Sequence, residues 1–262
     1  MIYFPTIDST NAEMHRRLAA DALEHGTCIV ADYQSAGHGQ ASNHWESADG
    51  KNLLFSILLH PREVAVADQF VITEIVSLAI RDALDAELDK TVRNHDEIAI
   101  KWPNDIYIGN KKVCGVLIEN SVCGNALTDC IIGAGINVNQ TVFTSDAPNP
   151  VSLANISGTT HDRNAILTTI YTAILDMYDR LASANDLSFR HDLHNRYMSH
   201  LYRRNGVHAF RRATSHAKNT SKNNETEIFR ASIDHIDSFG LLALRLENGA
   251  TQTFAFKEIA FI

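Results

Sequence analysis

The order of predicted elements in this 262-residue chain indicates an α+β fold, with a larger domain at residues 1–203 and a small β-barrel domain at residues 204–262. Helix-like and strand-like segments are mixed up to about residue 200, and from Gly206 onward the pattern contains short strands alone. Mixed segments followed by strands are typical of α+β proteins or of separate modules. An apolar content of 45% is sufficient for a substantial core.

The N-terminal part predicts a helix, two strands and a second helix. Apolar residues at helical spacing predict the first helix from about residue 11 to 24, and Thr10-Asn11-Ala12-Glu13 has the form of a capping box at its start. The cap gives Ser9 to Asn11 a complete structural explanation. The other predicted elements are strands at roughly 27–33 and 52–59 and a helix over about 65–89.

The middle of the chain contains Lys101-Trp102-Pro103-Asn104-Asp105, which follows the alternating, β-branched run Glu97 to Trp102. That run predicts a strand, and Pro103 must end its hydrogen-bonded ladder because proline has no backbone donor. Lys101 is therefore expected at a strand end. A hairpin follows that turns through Gly109-Asn110, with Lys111 and Lys112 at the turn. These residues alone are equally compatible with a structural tryptophan and solvated lysines.

The remainder of the chain predicts one more strand, two helices and the small β domain. The predicted segments are a strand near 127–138, a region rich in Asn, Pro and Ser at about 139–160, a helix with an apolar stripe from Ile166 to Leu181, a more charged helix at about 186–200, short strands at 227–233, 241–246 and 253–256, and an exposed loop from His216 to Thr226.

Composition excludes several classes of protein. A formal net charge of −8 argues against a general nucleic-acid binder, whose affinity depends on clustered Lys and Arg. No apolar stretch approaches the roughly 20 residues that span a bilayer, and no signal peptide is evident, so we expect a cytoplasmic protein without membrane association.

The 13 histidines show no zinc-binding spacing, so no protein-ligated metal is expected. The four cysteines lie in apolar runs and are expected to be reduced core residues.

The Lys-Trp-Pro-Asn-Asp string resembles the signature of biotin protein ligases, and other segments match that family in the same order. Ser9-Thr10-Asn11 stands where the family has Ser-Thr-Asn, Ala31 to Gln40 looks like its glycine-rich biotin loop, and Gly133 to Asn139 looks like its Gly-x-Gly-Ile-Asn strand. The resemblance spans the whole chain. It implies a mixed or antiparallel sheet with helices, a C-terminal SH3-like barrel, and ATP-dependent ligation of biotin to a protein. Only eight residues precede Ser9, so a DNA-binding helix-turn-helix domain is not expected.

The implied chemistry requires fixed positive charge. A carboxylate must be activated before it can acylate an amine, and its attack on the α-phosphorus of ATP brings two anions together. Lys101 is our first choice for the catalytic cation that contacts both, and Lys112 is a second contact to phosphate. Mg²⁺ is expected to arrive with the nucleotide, held mostly by water and phosphates.

The remaining site residues are those that the resemblance implies. Glycines in the loop would permit close approach of backbone groups to the ligand, and Gly115 would leave space for the chain of biotin. Asn137 is assigned to the adenine edge because its amide offers a donor and an acceptor. Biotin contacts are assigned to Ser9, Thr10, Asn11, Gln34, Gly37, His38, Gly39, Gln40, Lys101 and Gly115, and nucleotide contacts to Gln40, Trp45, Asn104, Lys112 and Asn137.

One segment departs from the family pattern, and one alternative activity stays open. Many relatives carry arginines in the loop where this chain has His38, Gln40 and Asn43, so their role in holding the adenylate is not carried over. A lipoate or octanoate ligase of the same fold is the alternative to a biotin ligase. The expected partner is a biotin carboxyl carrier protein or domain, and exposed sheet edges are also compatible with a homodimer.

Overall fold

The computed structural model describes residues 1–39, 44–92, 95–183, 187–213 and 227–262. A seven-stranded sheet forms the first part, in the order β1-β2-β3-β7-β6-β5-β4. β1 pairs with β2 in parallel, and the other neighbours are antiparallel. The mixed sheet is therefore confirmed, although β1 was not predicted. The strands are β1 Ile2–Ile7, β2 Cys28–Gln34, β3 Leu53–Leu59, β4 Ile98–Lys101, β5 Asp105–Ile108, β6 Lys111–Cys123 and β7 Ala126–Ile136.

Helices cover the two faces of this sheet unequally. A large core on one face packs β3 and its neighbours against α2, α4 and α5. On the other face, Met14 of α1 packs with Ile29, Leu58 and Ile131. This small cluster covers only part of that face. The rest of that face is available for a site. The helices are α1 Thr10–Ala20, α2 Phe70–Asp89, α3 Leu153–Ser157, α4 Arg163–Ser183 and α5 Leu187–Ser199.

Three local expectations are wrong in detail. The first helix ends at Ala20 rather than near residue 24, and its N-cap is Ser9 rather than Thr10, because the Ser9 hydroxyl accepts the Ala12 N–H at 3.4 Å. Cys28, Cys114 and Cys130 are buried as expected, but Cys123 is exposed at the end of β6. It lies where the long strand leaves the core.

A second, antiparallel sheet of five strands follows, in the order β11-β10-β9-β8-β12, and confirms the small C-terminal β domain. Trp102 attaches it to the first sheet by donating its indole N–H to the Gly240 carbonyl at 3.0 Å. Gly240 has φ +85, and a side chain there would collide with Phe70. The strands are β8 His208–Arg212, β9 Ile228–Ile236, β10 Leu242–Leu246, β11 Thr251–Phe254 and β12 Ile259–Phe261.

Parts of the expected pattern lie outside the described residues or were missed. The predicted loop from His216 to Thr226 lies outside them. Strands β8 and β12 and the short helix α3 were not predicted. Across the described ranges, no helix is both long and apolar enough to cross a membrane.

Candidate functional site

Glycines open a groove along the sheet face that α1 leaves uncovered. Gly115 of β6 lies opposite Gly135 of β7 in register, and Gly133 precedes Gly135 on the same face. A Cβ on Gly133 would collide with the Asn11 side chain, and one on Gly135 would lie 2.5 Å from the Trp45 ring. Two neighbouring side chains thus approach the backbone so closely that only glycine fits.

Neutral side chains form a hydrogen-bonded cluster at one end of this groove, which we call the polar end (Thr10, Asn11, Gln34 and Ser56). The Thr10 N–H and hydroxyl both donate to Gln34 Oε1, at 2.7 and 3.1 Å. Ser56 Oγ lies 2.7 Å from Thr10 Oγ1 and 2.6 Å from Asn11 Oδ1. Thr10, Asn11 and Ser56 are buried. Because the cluster is neutral and preorganised, it can bind a polar group that both donates and accepts hydrogen bonds.

Two members of this region were missed by sequence reasoning. Ser56 is fully buried in β3, where every residue is buried, and Glu119 accepts a hydrogen bond from Asn11 Nδ2 at 2.7 Å. A polar residue inside an otherwise apolar buried strand requires a partner. That signal was present at Ser56. The sequence has no comparable signal at Glu119, since a glutamate at a strand position that reaches solvent needs no partner, and Glu119 is only half-buried.

The glycine-rich loop runs from the end of β2 toward the groove. Gly37 is buried, and its carbonyl accepts the Trp45 N–H at 3.0 Å. His38 is exposed and forms an isolated antiparallel bridge with His44, and Gly39 is half-buried. Gln40 and the two residues after it, together with Asn43, lie outside the described residues. The described part therefore brings the two ends of the loop together.

Trp45 occupies the middle of the groove. A Cβ on Gly115 would lie 2.9 Å from its ring, so the indole fills the space that was expected above Gly115 for the ligand chain. The Lys112 ammonium lies 5.8 Å from the ring centroid. Trp45 Nε1 and Asn137 Oδ1 are buried and have no hydrogen-bond partner among the described residues. One is a donor and the other an acceptor, and such orphaned groups are costly unless a ligand or water satisfies them.

Glu46 anchors the chain directly after Trp45. Its carboxylate accepts the N–H groups of Thr144 and Ser145, both at 2.8 Å, and the Gln140 amide at 3.1 Å. Burial opposes ionisation of Glu46, but the hydrogen bonds from Ser145 and Thr144 outweigh it and lower the pKa to about 2. The position of Trp45 is thus fixed from its C-terminal side.

Charged groups lie at the opposite end of the groove, which we call the cationic end (Lys101, Asp105, Tyr107 and Lys112). Lys101 ends β4 as predicted and donates to the Tyr107 hydroxyl at 3.0 Å. Burial lowers the pKa of Lys101 below its usual value, Asp105 opposes this, and Lys112 adds to it. Lys112 pairs with Asp105 at 2.7 Å. Burial also raises the pKa of Tyr107 to about 12.

Asn104 has different surroundings from the other predicted nucleotide residues. It is buried and lines a groove toward the C-terminal sheet, together with Trp102 and Phe239. The neighbouring Pro103 carbonyl accepts the hydroxyl of the fully buried Tyr197 at 2.6 Å. The turn that carries Asn104 is thus held from α5 as well as from the C-terminal sheet.

The predicted site residues therefore fall into two groups. Thr10, Asn11 and Gln34 come together at the polar end, and Lys101 and Lys112 at the cationic end. Trp45 lies between them, over Gly115 and Gly135, and Asn137 follows β7 and donates its backbone N–H to the Val113 carbonyl, next to Lys112. Ser9 serves as the helix cap. Within the described ranges, no group of three or more His, Cys, Asp or Glu side chains is arranged to hold a metal ion.

Solved biotin protein ligases share this fold. The ligase from Aquifex aeolicus, solved in complex with biotin and ATP, superimposes with a TM-score of 0.76 over 100% of this chain and 97% of the other, at 23% identity. The ligase from Leishmania major, solved with biotinyl-5-AMP, gives a TM-score of 0.61 over 97% and 98% of the two chains, at 18% identity.

A family model for the biotin/lipoate A/B protein ligase family matches residues 3–137, which is more than half of the chain. The chain therefore belongs to that family. It is 33% identical over 172 residues to the bifunctional ligase/repressor BirA of Bacillus spizizenii, across 64% of this chain and 50% of the relative. It is also 33% identical over 131 residues to the biotin–[acetyl-CoA-carboxylase] ligase of Paracoccus denitrificans, across 50% of this chain and 51% of the relative. The chain thus spans about half the length of these relatives.

Proposed function

We propose that this protein is an ATP-dependent biotin protein ligase, which forms biotinyl-5′-AMP and transfers the biotinyl group to a lysine of a carrier domain. The observation that carries the proposal is the arrangement on one sheet face, where a neutral polar cluster and a pair of lysines lie at opposite ends of a glycine-lined groove. Membership of the ligase family supports the proposal independently.

The polar end is assigned to the ureido head of biotin. That group has a carbonyl acceptor and two N–H donors, and it is attached to an apolar ring and chain. Thr10, Gln34 and Ser56 offer hydroxyl and amide groups that can exchange their internal hydrogen bonds for bonds to the ureido group. Ser9 and Asn11 contribute by fixing the start of α1 around the cluster. Gly37, His38 and Gly39 would contribute backbone groups, and the assignment of Gln40 stays a prediction.

The cationic end is assigned to the reacting anions. The biotin carboxylate attacks the α-phosphorus of ATP, the bond to pyrophosphate breaks, and negative charge develops on oxygens around phosphorus. Lys101 is the proposed catalytic cation, because it is half-buried and its charge is therefore less screened than at the surface. Lys112 would contact phosphate after exchanging its partner Asp105.

The nucleotide base is assigned to the part of the groove that Trp45 and Asn137 border. Trp45 Nε1 and Asn137 Oδ1 supply one unpaired donor and one unpaired acceptor, which matches the edge of a purine. A ligand chain along Gly115 requires the Trp45 ring to shift from its present position. The assignment of Asn104 to nucleotide binding rests on the family resemblance alone. Mg²⁺ would be bound mainly by phosphate oxygens and water.

The partner in the second half-reaction is a lysine of a biotin carboxyl carrier protein or domain. Its neutral amine attacks the acyl carbon of the adenylate, an amide bond forms, and AMP leaves.

We also propose that the chain divides into two domains, with the boundary between residues 203 and 204. The second sheet begins soon afterwards, at His208, which supports that division.

Exchange of labelled pyrophosphate into ATP tests the first half-reaction. We expect exchange with biotin and none with lipoate or octanoate, because an acid without a ureido group leaves the polar end unpaired. Exchange that depended on lipoate alone would overturn the proposal in favour of a lipoate ligase. Mass spectrometry of a biotin carboxyl carrier domain after incubation with the protein, biotin and ATP tests the second half-reaction, and the absence of added biotin would contradict it.

A further inference from the structure

The last strand of the C-terminal sheet reaches the cationic end of the site. Strand β12 pairs with β8 so that Phe261 lies opposite Phe210. The Phe261 ring centroid is 5.6 Å from the Lys101 ammonium. An aromatic residue that is 160 positions away in the sequence is thus a neighbour of the proposed catalytic cation.

The segment before the C-terminal sheet brings a second aromatic ring to the same place. Ile100 donates its N–H to the His200 carbonyl, and Tyr202 donates its N–H to the Ile100 carbonyl, both at 2.8 Å. This segment therefore lies along the edge of β4, beside Lys101. The Tyr202 ring centroid is 5.3 Å from that of Tyr107 and 6.1 Å from that of Phe261. Tyr202 therefore connects Tyr107 and Phe261, the two aromatic residues that contact the lysine.

The surroundings of Phe261 hold its ring in place. Phe210 is fully buried, and its ring packs edge-on against Phe261 with centroids 5.1 Å apart. Arg203 donates to the Ile262 carbonyl at 2.6 Å, directly after Phe261. Arg203 has φ +58, a conformation that non-glycine residues adopt only when their contacts compensate for it.

We propose that Phe261 is a positioning residue for Lys101, and that the C-terminal domain completes the catalytic site through it. The Lys101 ammonium also donates to the Tyr107 hydroxyl at 3.0 Å, so one hydrogen bond and the Phe261 ring together hold it. A lysine side chain has four rotatable bonds, and small misplacements of a catalytic group are costly. These two contacts restrict the ammonium to one position in the groove. This inference rests on the proposed function, in which Lys101 is the catalytic cation.

A series of fluorinated phenylalanines at position 261 tests the proposal. Each fluorine withdraws electron density from the ring face and weakens its attraction for a cation, while the shape of the side chain changes little. We expect the kcat of biotin-dependent pyrophosphate exchange to fall in steps, by about tenfold for the fully fluorinated ring, which corresponds to about 1.4 kcal/mol. The KM for biotin should stay the same. Phe261→Tyr should retain the kcat of the unsubstituted protein, and Phe261→Leu should lower kcat as much as full fluorination does.

Phe4 provides the matched control, because it lies in β1 outside the assigned site residues and its ring also has a cation next to it, the Arg17 guanidinium at 5.5 Å from the ring centroid. The same fluorinated series there should leave kcat unchanged. A constant kcat across the series at Phe261, or an equal decline at Phe4, would overturn the proposal. A purely structural role of Phe261 predicts no graded dependence on fluorine.

NMR of the Lys101 side chain separates this proposal from the proposed function. Ring currents from Phe261 should shift the Lys101 Cε proton resonances, and Phe261→Leu should move them while Phe4→Leu should not. If the unsubstituted protein shows no biotin-dependent exchange, the proposed function fails, and the resonances still decide whether Phe261 positions Lys101. Resonances that did not respond to Phe261→Leu would overturn the positioning role even in an active enzyme.

Discussion

The polar end and the cationic end lie on the same sheet face but are constructed in opposite ways. At the polar end, neutral side chains satisfy one another: Gln34 accepts two hydrogen bonds from Thr10, and Ser56 joins Thr10 to Asn11. At the cationic end, charge is concentrated and only partly compensated. Lys112 has the carboxylate of Asp105 as its partner, whereas Lys101 has the Tyr107 hydroxyl and aromatic rings.

The contrast indicates different contributions to the proposed reaction. A neutral cluster forms similar hydrogen bonds to a distant part of the substrate in the ground state and in the transition state, so it contributes to binding. A half-buried cation interacts most strongly with charge that develops during reaction, so it contributes to turnover. Substitutions at the polar end should therefore change mainly KM, and substitutions at the cationic end should change mainly kcat.

The largest effect is expected at Lys101. Lys101→Ala should lower the kcat of adenylate formation by about two to four orders of magnitude, on the scale of preorganised electrostatic contacts, with little change in biotin affinity. Pyrophosphate exchange and biotin titration measure the two quantities. The control is Lys111→Ala, because Lys111 is exposed in the same hairpin. Near-normal kcat in Lys101→Ala would exclude Lys101 as the catalytic cation, and failure of the variant to fold would favour a structural role.

The next effect concerns the glycine groove between the two ends. In Gly135→Ala, the new methyl group would lie 2.5 Å from the Trp45 ring, so one of them must move. We expect the free energy of unfolding to fall by about 1–3 kcal/mol, as for other overpacked sites. Trp45→Leu in the same background should recover most of this loss. Denaturant unfolding of the two single variants and the double variant is the measurement, and simple additivity would show that the ring is not the obstacle.

Ser56 tests the polar end. Ser56→Ala removes a hydroxyl that bonds both Thr10 and Asn11, and we expect the KM for biotin to rise about tenfold, or about 1.4 kcal/mol, with kcat nearly unchanged. Ser77→Ala is a matched control, because Ser77 is also fully buried but its hydroxyl has no partner among the described residues. It should leave the KM unchanged. In Ser56→Ala, a fall in kcat without a rise in the KM for biotin would contradict the assignment of binding to the polar end and of turnover to the cationic end.

Much of the fold could be predicted because long elements carry strong local patterns. The stripe from Ile166 to Leu181 and the hairpin around Gly109 are examples, and both are present as α4 and as β5 with β6. The missed strands have weaker signals. β1 is a partly exposed edge strand that contains Pro5, and β12 has only three residues. Their pairing depends on distant partners in β2 and β8, which no local pattern reveals.

The positions of some candidate site residues were predictable from local motifs, whereas their roles stay predictions. Lys101 lies at the end of β4, as the strand pattern predicted, and Thr10 lies beside Gln34, two residues that the family resemblance assigned to the same ligand. Contacts between distant segments were not predictable. Trp45 above Gly115 and Phe261 beside Lys101 depend on how a loop and a second domain fold back onto the sheet, and the spacing of residues contains no information on that.

The smallest effect is a shift in the pH dependence of turnover, and its direction sharpens the contrast between the two lysines. Lys101 must be protonated to act as a cation, so turnover is retained below its pKa and lost as pH rises through it. The negative charge of Asp105 raises this pKa and the positive charge of Lys112 lowers it. Asp105→Asn should therefore move the alkaline limit of kcat to lower pH, and Lys112→Gln should move it to higher pH.

Tyr107→Phe serves as the control. The alkaline limit of kcat would disappear in this variant only if Tyr107 were the group whose deprotonation causes the limit. Shifts of kcat profiles in the same direction for both charge variants would show that the limit belongs to a group other than Lys101.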